Sequence, residues 1–345
     1  MSEQIKAVGF YKGLPISDPN SMMDVKVSRP QAAGYDVLVK VAAVSVNPVD
    51  TKMRQTHPET DQPTVLGFDA VGEIVAVGKQ VGNFQVGDKV YYAGVNNRPG
   101  SDQEFQLVDS RLIAHAPQAI SSEEAAAMPL TSLTAWEALF ERMPIKAAAN
   151  ANKGKKILIV NGAGGVGSIA IQLAKWAGLQ VITTAARPET VEWVKNLDAD
   201  LVLDYHQSLK AQLAAAQITT VDFATIFQST DRYLPILADL VAPEGFITSI
   251  VENVAPLPMG LLKAKSITLA WEFMFTKGIY QTADMASQGK ILTQIAQLLD
   301  EQTLRSTLTL TLTGINAENL RHAHELVESN QMIGKIVVTG GFNAA

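Results

Sequence analysis

The apolar positions of this chain repeat with two different periods. Short β-branched runs broken by Gly, Pro and Asn occupy Lys6 to Phe10, Val37 to Val46, Val65 to Val77, Asp88 to Tyr92 and Phe105 to Val108. They predict strands of a β-barrel or sandwich. Near Ser121 the pattern changes, and SSEEAAAMPLTSLTAWEALFERM supplies an N-cap serine, early glutamates and helical spacing interrupted by Pro129. After the polar bridge AAANANKGKK, apolar runs and helical stretches alternate: ILIVN (157–161), a helix to Trp176, QVITTA (180–185), a helix from Glu189, LVLDY (201–205), a helix, VDFATIF (221–227), a helix around Leu234 to Val241, GFITSI (245–250) and SITLAW (266–271). Strand and helix in turn predict right-handed crossovers and a parallel sheet covered on both faces. A helix through Ile291 to Leu299, a β run at 308–314, a helix from Asn316 to Glu328 and GKIVVTG (334–340) follow, and these last strands are expected to rejoin the first region.

The chain has 345 residues, more than one core usually holds, so two domains are expected, one interrupted by the other. Boundaries are placed at 1–125, 126–272 and 273–345. Apolar residues make up 47% and charged residues 18%, a balance that excludes a disordered chain. With a net charge of −6 and no Lys/Arg block, neither nucleic acid nor an anionic membrane is an expected partner. No signal-like start and no long apolar run appear, so a cytoplasmic location is expected. The absence of cysteine removes disulfides, thiolate catalysis and cysteine-based zinc sites.

The strongest motif is KKILIVNGAGGVGSIAIQLAKWAG, in which Gly162, Gly164 and Gly167 form G-x-G-x-x-G between an apolar strand and an amphipathic helix. Gly162 is read as the tight turn, Gly164 as the close approach to a pyrophosphate and Gly167 as the helix–strand contact, with Ala163, Gly165 and Val166 completing the loop. About 20 residues on, an NAD site normally carries an acid for the ribose 2′-hydroxyl. Here TTAARPE offers no carboxylate after the strand and offers Arg187, a cation suited to a 2′-phosphate. NADP(H) is the expected cofactor.

NPVD (47–50), LGFDAVGEIVAVG, RPGSDQEF (98–105), PLTSLTAWEAL (129–139) and WEFMFT (271–276) resemble the quinone oxidoreductase branch of the medium-chain dehydrogenase/reductase superfamily. Within it they are similar to the sequences called zinc-type alcohol dehydrogenase-like. The resemblance covers nearly the whole chain and implies an α/β fold: a GroES-like β-barrel substrate domain, a Rossmann doubly wound parallel sheet and a cleft between them. Zinc-using members carry Gly-His-Glu where this chain has Gly67-Phe68-Asp69, and a cysteine near Asn47, so no zinc is expected. The five histidines, His57, His115, His206, His322 and His324, do not repair the loss. The family pattern places Asn47 and Thr134 beside the cofactor, Arg187 and Tyr205 at the adenosine 2′-phosphate, Ser229 at the nicotinamide ribose, and Lys335 where a basic residue returns to the cofactor.

Without a metal to stabilise an alkoxide, simple alcohol oxidation is disfavoured. A quinone or α,β-unsaturated carbonyl instead accepts hydride into its conjugated system and is quenched by a proton. NADPH-dependent reduction of such an acceptor is the expected reaction; a non-catalytic NADPH-sensing protein and an alcohol dehydrogenase are the alternatives. Many relatives place tyrosine two residues after the NPVD aspartate, where this chain has Lys52. The proton-handling candidates are therefore Lys52, as an enolate stabiliser, and Asp50, which could orient a neighbour or cap a turn. The apolar edge strand SITLAWEFMF leads to the expectation of a homodimer.

Overall fold

The computed structural model describes residues 3–342. It divides into two compact units, one of residues 1–130 and 275–345 and the other of residues 131–274.

The first unit opens with β1 (Gln4–Gly9), β2 (Met23–Ser28), β3 (Asp36–Val46), α1 (Pro48–Gln55), β4 (Asp69–Val77), β5 (Lys89–Tyr92), β6 (Phe105–Asp109), β7 (Ile113–His115) and α2 (Ser122–Ala126). Helix α3 (Pro129–Trp136) carries the chain across the boundary. The second unit continues as a π-turn over Glu137–Glu141, then β8 (Lys156–Val160), α4 (Gly165–Trp176), β9 (Gln180–Thr184), α5 (Pro188–Asn196), β10 (Leu201–Leu203), α6 (Leu209–Ala215), β11 (Val221–Ile226), α7 (Thr230–Leu240), β12 (Val241–Ser249), α8 (Gly260–Lys263) and β13 (Thr268–Trp271). The chain re-enters the first unit as α9 (Thr276–Tyr280), α10 (Ser287–Asp300), β14 (Leu308–Thr313), α11 (Ala317–Glu328) and β15 (Lys335–Thr339).

In the first unit the sheet order is β14-β15-β3-β4-β5-β7, with β6 pairing residues 36–40 of β3 on the edge that β15 takes at residues 43–46. Strands β14 and β15 are parallel, and β15 joins β3 antiparallel with Val338 opposite Val44. The returning strands therefore complete the first sheet, because their Val and Ile side chains share its core: Val39, Val44, Ile74, Ile336 and Val338 pack under Leu320 and Ala323 of α11. Strand β2 has no counterpart among the sequence expectations. Its burial only alternates between half-buried and exposed, and it pairs with β1 alone.

Strand β12 starts at Val241, directly after α7, and not at residue 245, and β13 starts at Thr268; two further boundaries that differ from the sequence expectation have a visible cause. The run from Val65 becomes a strand only at Asp69, since the carbonyls of Val65, Leu66 and Gly67 accept instead from the amides of Gly100, Asp102 and Ser101 at 2.8–2.9 Å. Gly67 turns there at φ 96°, a conformation costly for other residues. The division between units lies after Leu130 instead of after residue 125. Met128 Sδ accepts from the Thr307 amide at 3.4 Å, and the Leu130 amide donates to Asp69, which holds both residues in the first unit.

The second unit is a six-stranded parallel sheet in the order β10-β9-β8-β11-β12-β13. Leu158, Val160, Ile182, Ala224, Ile226 and Ile247 of its strands are fully buried against Leu234 and Leu237 of α7. Near-continuous apolar strands are what a sheet covered on both faces requires. No helix among the described residues is long and apolar enough to cross a membrane.

Candidate functional site

Between β8 and α4 the chain makes a turn with no room for a side chain at Gly162 or Gly167. A Cβ on Gly162 would stand 2.0 Å from Thr183 Oγ1, and one on Gly167 would stand 2.1 Å from the Asn161 carbonyl oxygen. The left-handed residue of the turn is Asn161, at φ 66°, and not Gly162. Glycine is needed at 162 because β9 approaches so closely, which corrects the role read from the sequence. The Asn161 amide donates to Thr184 Oγ1 at 2.9 Å and the Thr183 hydroxyl to the Ile159 carbonyl at 2.8 Å, so β8 and β9 hold the turn from both sides. Helix α4 starts with Gly164 as its extended N-cap. The first-turn amides of Gly165, Val166 and Gly167 have no carbonyl within the helix to bond, and they form the electropositive end that accepts a pyrophosphate. A bare backbone surface at the carboxyl end of β8 fits a dinucleotide.

After β9 come Ala185 and Ala186, and Arg187 is the N-cap of α5. Its guanidinium is partly exposed and lies 3.4 Å from Glu189. Tyr205 follows β10, with its ring 4.5 Å from that of His206 and its carbonyl accepting from Arg232 at 3.0 Å. Ser229, the N-cap of α7 three residues after β11, is left-handed with φ 52° and ψ 81°. A non-glycine residue there is costly, and such residues cluster at binding sites. Thr134 is buried on α3. Arg187, Tyr205 and Ser229 all follow carboxyl ends of strands of this sheet, the edge at which α/β sheets bind ligands.

The first unit holds a different cluster. Asp69 is fully buried, and its Oδ2 accepts from Lys335 Nζ at 3.0 Å and from Asn47 Nδ2 at 2.9 Å, while Oδ1 accepts from the Leu130 amide at 2.6 Å. Lys335 Nζ also donates to the Val46 carbonyl at 3.2 Å and to Asn47 Oδ1, which uses all three hydrogens of an ammonium. The resemblance lends Asn47 and Lys335 to the cofactor; here their polar groups are engaged with each other and with Asp69. Asp50 accepts from the Asn47 amide at 2.8 Å in a capping box at the start of α1. Burial pushes its carboxyl up to about 7; the negative charge of Asp69 adds to that effect, while the Asn47 amide and Lys335 oppose it. Asp102, buried with its carboxylate against Gly67, is raised as well, by burial first and then by Asp50. Lys52 lies two residues beyond Asp50 on the exposed side of α1, so the two candidates occupy opposite faces.

This donor set does not fit zinc. Phe68 is buried with its ring centroid 4.8 Å from that of Phe275, which makes the corner apolar where zinc enzymes place histidine. Asp69 already carries an ammonium, and among the described residues no three His, Asp or Glu side chains are grouped to hold a metal ion. His322 is exposed and His324 is buried on opposite sides of α11.

Several groups in this inventory escape sequence reasoning. Arg54 is fully buried on α1, with its guanidinium on Glu328 and on the Leu14 carbonyl. Asp102 is a second, and Glu137 with Glu272 in the second unit a third. The available signal is a charge inside an apolar run, as in WEFMF, or the i,i+4 spacing of Asp50 and Arg54.

A doubly wound sheet with a glycine cradle, interrupting a second sheet unit, defines a dinucleotide-binding oxidoreductase. The family model described as alcohol dehydrogenase GroES-like domain matches residues 33–118, and that described as zinc-binding dehydrogenase matches residues 165–287. The chain is 42% identical over 334 residues to a zinc-type alcohol dehydrogenase-like protein of Staphylococcus epidermidis, covering 97% of this chain and 99% of the relative. It is 45% identical to a solved putative zinc-dependent alcohol dehydrogenase protein from Rhizobium etli, with TM-score 0.94 and both chains fully covered. Over 51% of its length it is 40% identical to the chloroplastic NADPH-dependent alkenal/one oxidoreductase of Arabidopsis thaliana, covering 46% of that protein. The chain belongs to the medium-chain dehydrogenase/reductase superfamily.

Proposed function

We propose that this oxidoreductase is a zinc-independent, NADPH-dependent reductase of quinones or α,β-unsaturated carbonyls. The observation that carries the reading is the buried Asp69–Lys335 ion pair, with Phe68 packed against Phe275, at the Gly67-Phe68-Asp69 stretch to which the resemblance assigns a zinc enzyme's Gly-His-Glu. Without a Lewis acid, a conjugated acceptor is the substrate class that can take hydride, because its negative charge delocalises onto oxygen. The alkenal/one oxidoreductase similar to half of the chain supports the same class.

In this reading the loop from Gly162 to Gly167 holds the pyrophosphate, Arg187 and Tyr205 face the 2′-phosphate, and Thr134 and Ser229 border the nicotinamide end. NADPH, when bound, supplies the hydride. Asp50, whose carboxyl titrates near neutral pH, is the better matched of the two proton-handling candidates, since a group with a pKa near working pH transfers protons most efficiently. An acceptor panel with NADPH tests the proposal. Turnover of quinones or enals by metal-free protein is the expected result; NADPH binding without turnover of any acceptor, or activity that requires added zinc, would overturn it.

Two further expectations belong to this reading. Arg187→Ala should weaken NADPH by about 1.5–3 kcal/mol, the value of one hydrogen bond to a charged group, and leave NADH almost unchanged. Isothermal titration with both cofactors measures this, and equal losses would count against the 2′-phosphate assignment. The edge strand β13 exposes Trp271 and is followed by exposed Phe273, which supports a homodimer paired at this edge. Sedimentation velocity should show a dimer, and a Trp271→Glu variant should sediment as a monomer.

A further inference from the structure

In the second unit two glutamates meet out of water. Glu137 opens the π-turn that follows α3 and is fully buried; Glu272 directly follows β13, with its side chain buried as well. The groups that face Glu272 are Glu137, Arg142 and Glu141. Arg142, at the end of the π-turn, places Nε 2.9 Å from Glu272 Oε2 and donates its backbone amide to the Glu137 carbonyl at 3.0 Å. With one cation beside two buried carboxyls, a proton must be retained. The pair holds it between them: burial and then the charge of Glu137 raise Glu272 well above the usual carboxyl range, against the opposing pull of Arg142.

The surroundings of the pair link it to the carboxyl ends of β11, β12 and β13. The Glu272 amide donates to the Ser249 carbonyl at 2.9 Å, and Ser249 Oγ lies 2.6 Å from Thr230 Oγ1, next to the left-handed Ser229. The Thr248 hydroxyl reaches the Ala138 carbonyl in the π-turn at 3.4 Å. On the helical side, Glu137 lies three residues beyond Thr134. A π-turn inside a helix is uncommon and is found mostly at functional sites.

We propose that Glu137 and Glu272 form a proton-sharing brace that positions the nicotinamide end of the dinucleotide site, tying the π-turn beyond Thr134 to the strand ends beside Ser249, Thr230 and Ser229. This rests on the reading above, in which Thr134 and Ser229 border the nicotinamide. Both are positioning residues. When the shared proton leaves at alkaline pH, two buried anions repel beside one arginine and the brace opens.

The test compares wild-type protein with Glu272→Gln, which keeps a neutral donor toward Glu137, and with Glu272→Ala, which removes it. NADPH affinity is followed by titration from about pH 7 to about pH 10, and the infrared carbonyl stretch of a protonated carboxylic acid is recorded over the same range without cofactor. Wild-type affinity is expected to fall at least about tenfold (1.4 kcal/mol) at alkaline pH, and the wild-type-minus-Glu272→Gln infrared difference, in which the buried carboxyls of Asp50 and Asp102 cancel, is expected to show a protonated-carboxyl band that disappears with it. Glu272→Gln is expected to bind equally well throughout, and Glu272→Ala to bind weakly at every pH. A Glu272→Gln protein that keeps the wild-type alkaline loss, or a difference spectrum with no titrating band, would overturn the brace alone. Wild-type protein that binds no NADPH at neutral pH would overturn the reading beneath it, while the difference band would still report the shared proton.

Discussion

Lys335→Met is expected to destabilise the first unit by roughly 3–5 kcal/mol, the cost of leaving a buried charge without its partner. The ammonium is buried, bonded to Asp69 Oδ2 at 3.0 Å and to the Val46 carbonyl at 3.2 Å. Once it is gone, Asp69 keeps only neutral donors, from Asn47 and the Leu130 amide, and must either remain an unpaired anion or take up a proton. Chemical denaturation at neutral pH measures the loss. The double variant Lys335→Met/Asp69→Asn should recover most of it, because a buried ion pair contributes little beyond a neutral pair of similar shape. A single variant that loses less than about 1 kcal/mol would mean that Asp69 and Lys335 do not form a buried ion pair in the folded protein, and would remove the observation on which the zinc-independent reading rests.

A second large effect should appear in acid. Burial, reinforced by the positive charge of Arg54, pushes His324 down to about 3. In the unfolded chain the imidazole titrates near its ordinary value of about 6.5. The folded pKa is depressed, so the folded state binds fewer protons than the unfolded state between these values. The stability associated with neutral His324 is therefore complete above about pH 6.5 and is lost as pH falls toward about 3. The full loss amounts to roughly 5 kcal/mol, of which more than half is reached by about pH 4. His324→Phe removes the titration while filling a similar volume, and its stability should stay flatter across that window. Denaturant midpoints for both proteins between about pH 7 and about pH 4 give the comparison. Parallel curves would show that His324 is not the group that limits acid stability.

The Rossmann unit was legible from the sequence almost strand by strand. Its elements are local: ILIV and VITT are apolar because both faces of the sheet are covered, and the glycines stand where any Cβ would strike β9 or the preceding turn. The first unit was less legible. β2 alternates in sequence as MDVKVS but is only half-buried on its apolar side and pairs with β1 alone, and residues 65–68 are not strand because the carbonyls of Val65, Leu66 and Gly67 bond to residues 100–102. Sequence spacing carries no information about a partner more than thirty positions away. Likewise Glu137 is in sequence one more polar position of a helix, and only the folded chain buries it beside Glu272.

What the sequence by itself determined is the chemistry available at each place: a glycine cradle after β8, no acid after β9 but Arg187 instead, phenylalanine at 68, and no cysteine anywhere. Each of these is a property of a residue type in a local backbone setting and needs no long-range contact. The tertiary structure alone decided which charges leave water and with whom. Lys335 and Asp69 stand 266 residues apart, and Asp50 and His324 have shifted proton affinities because distant segments cover them. Desolvation depends on everything packed around a group, so the proton inventory of this oxidoreductase exists only once the chain has folded.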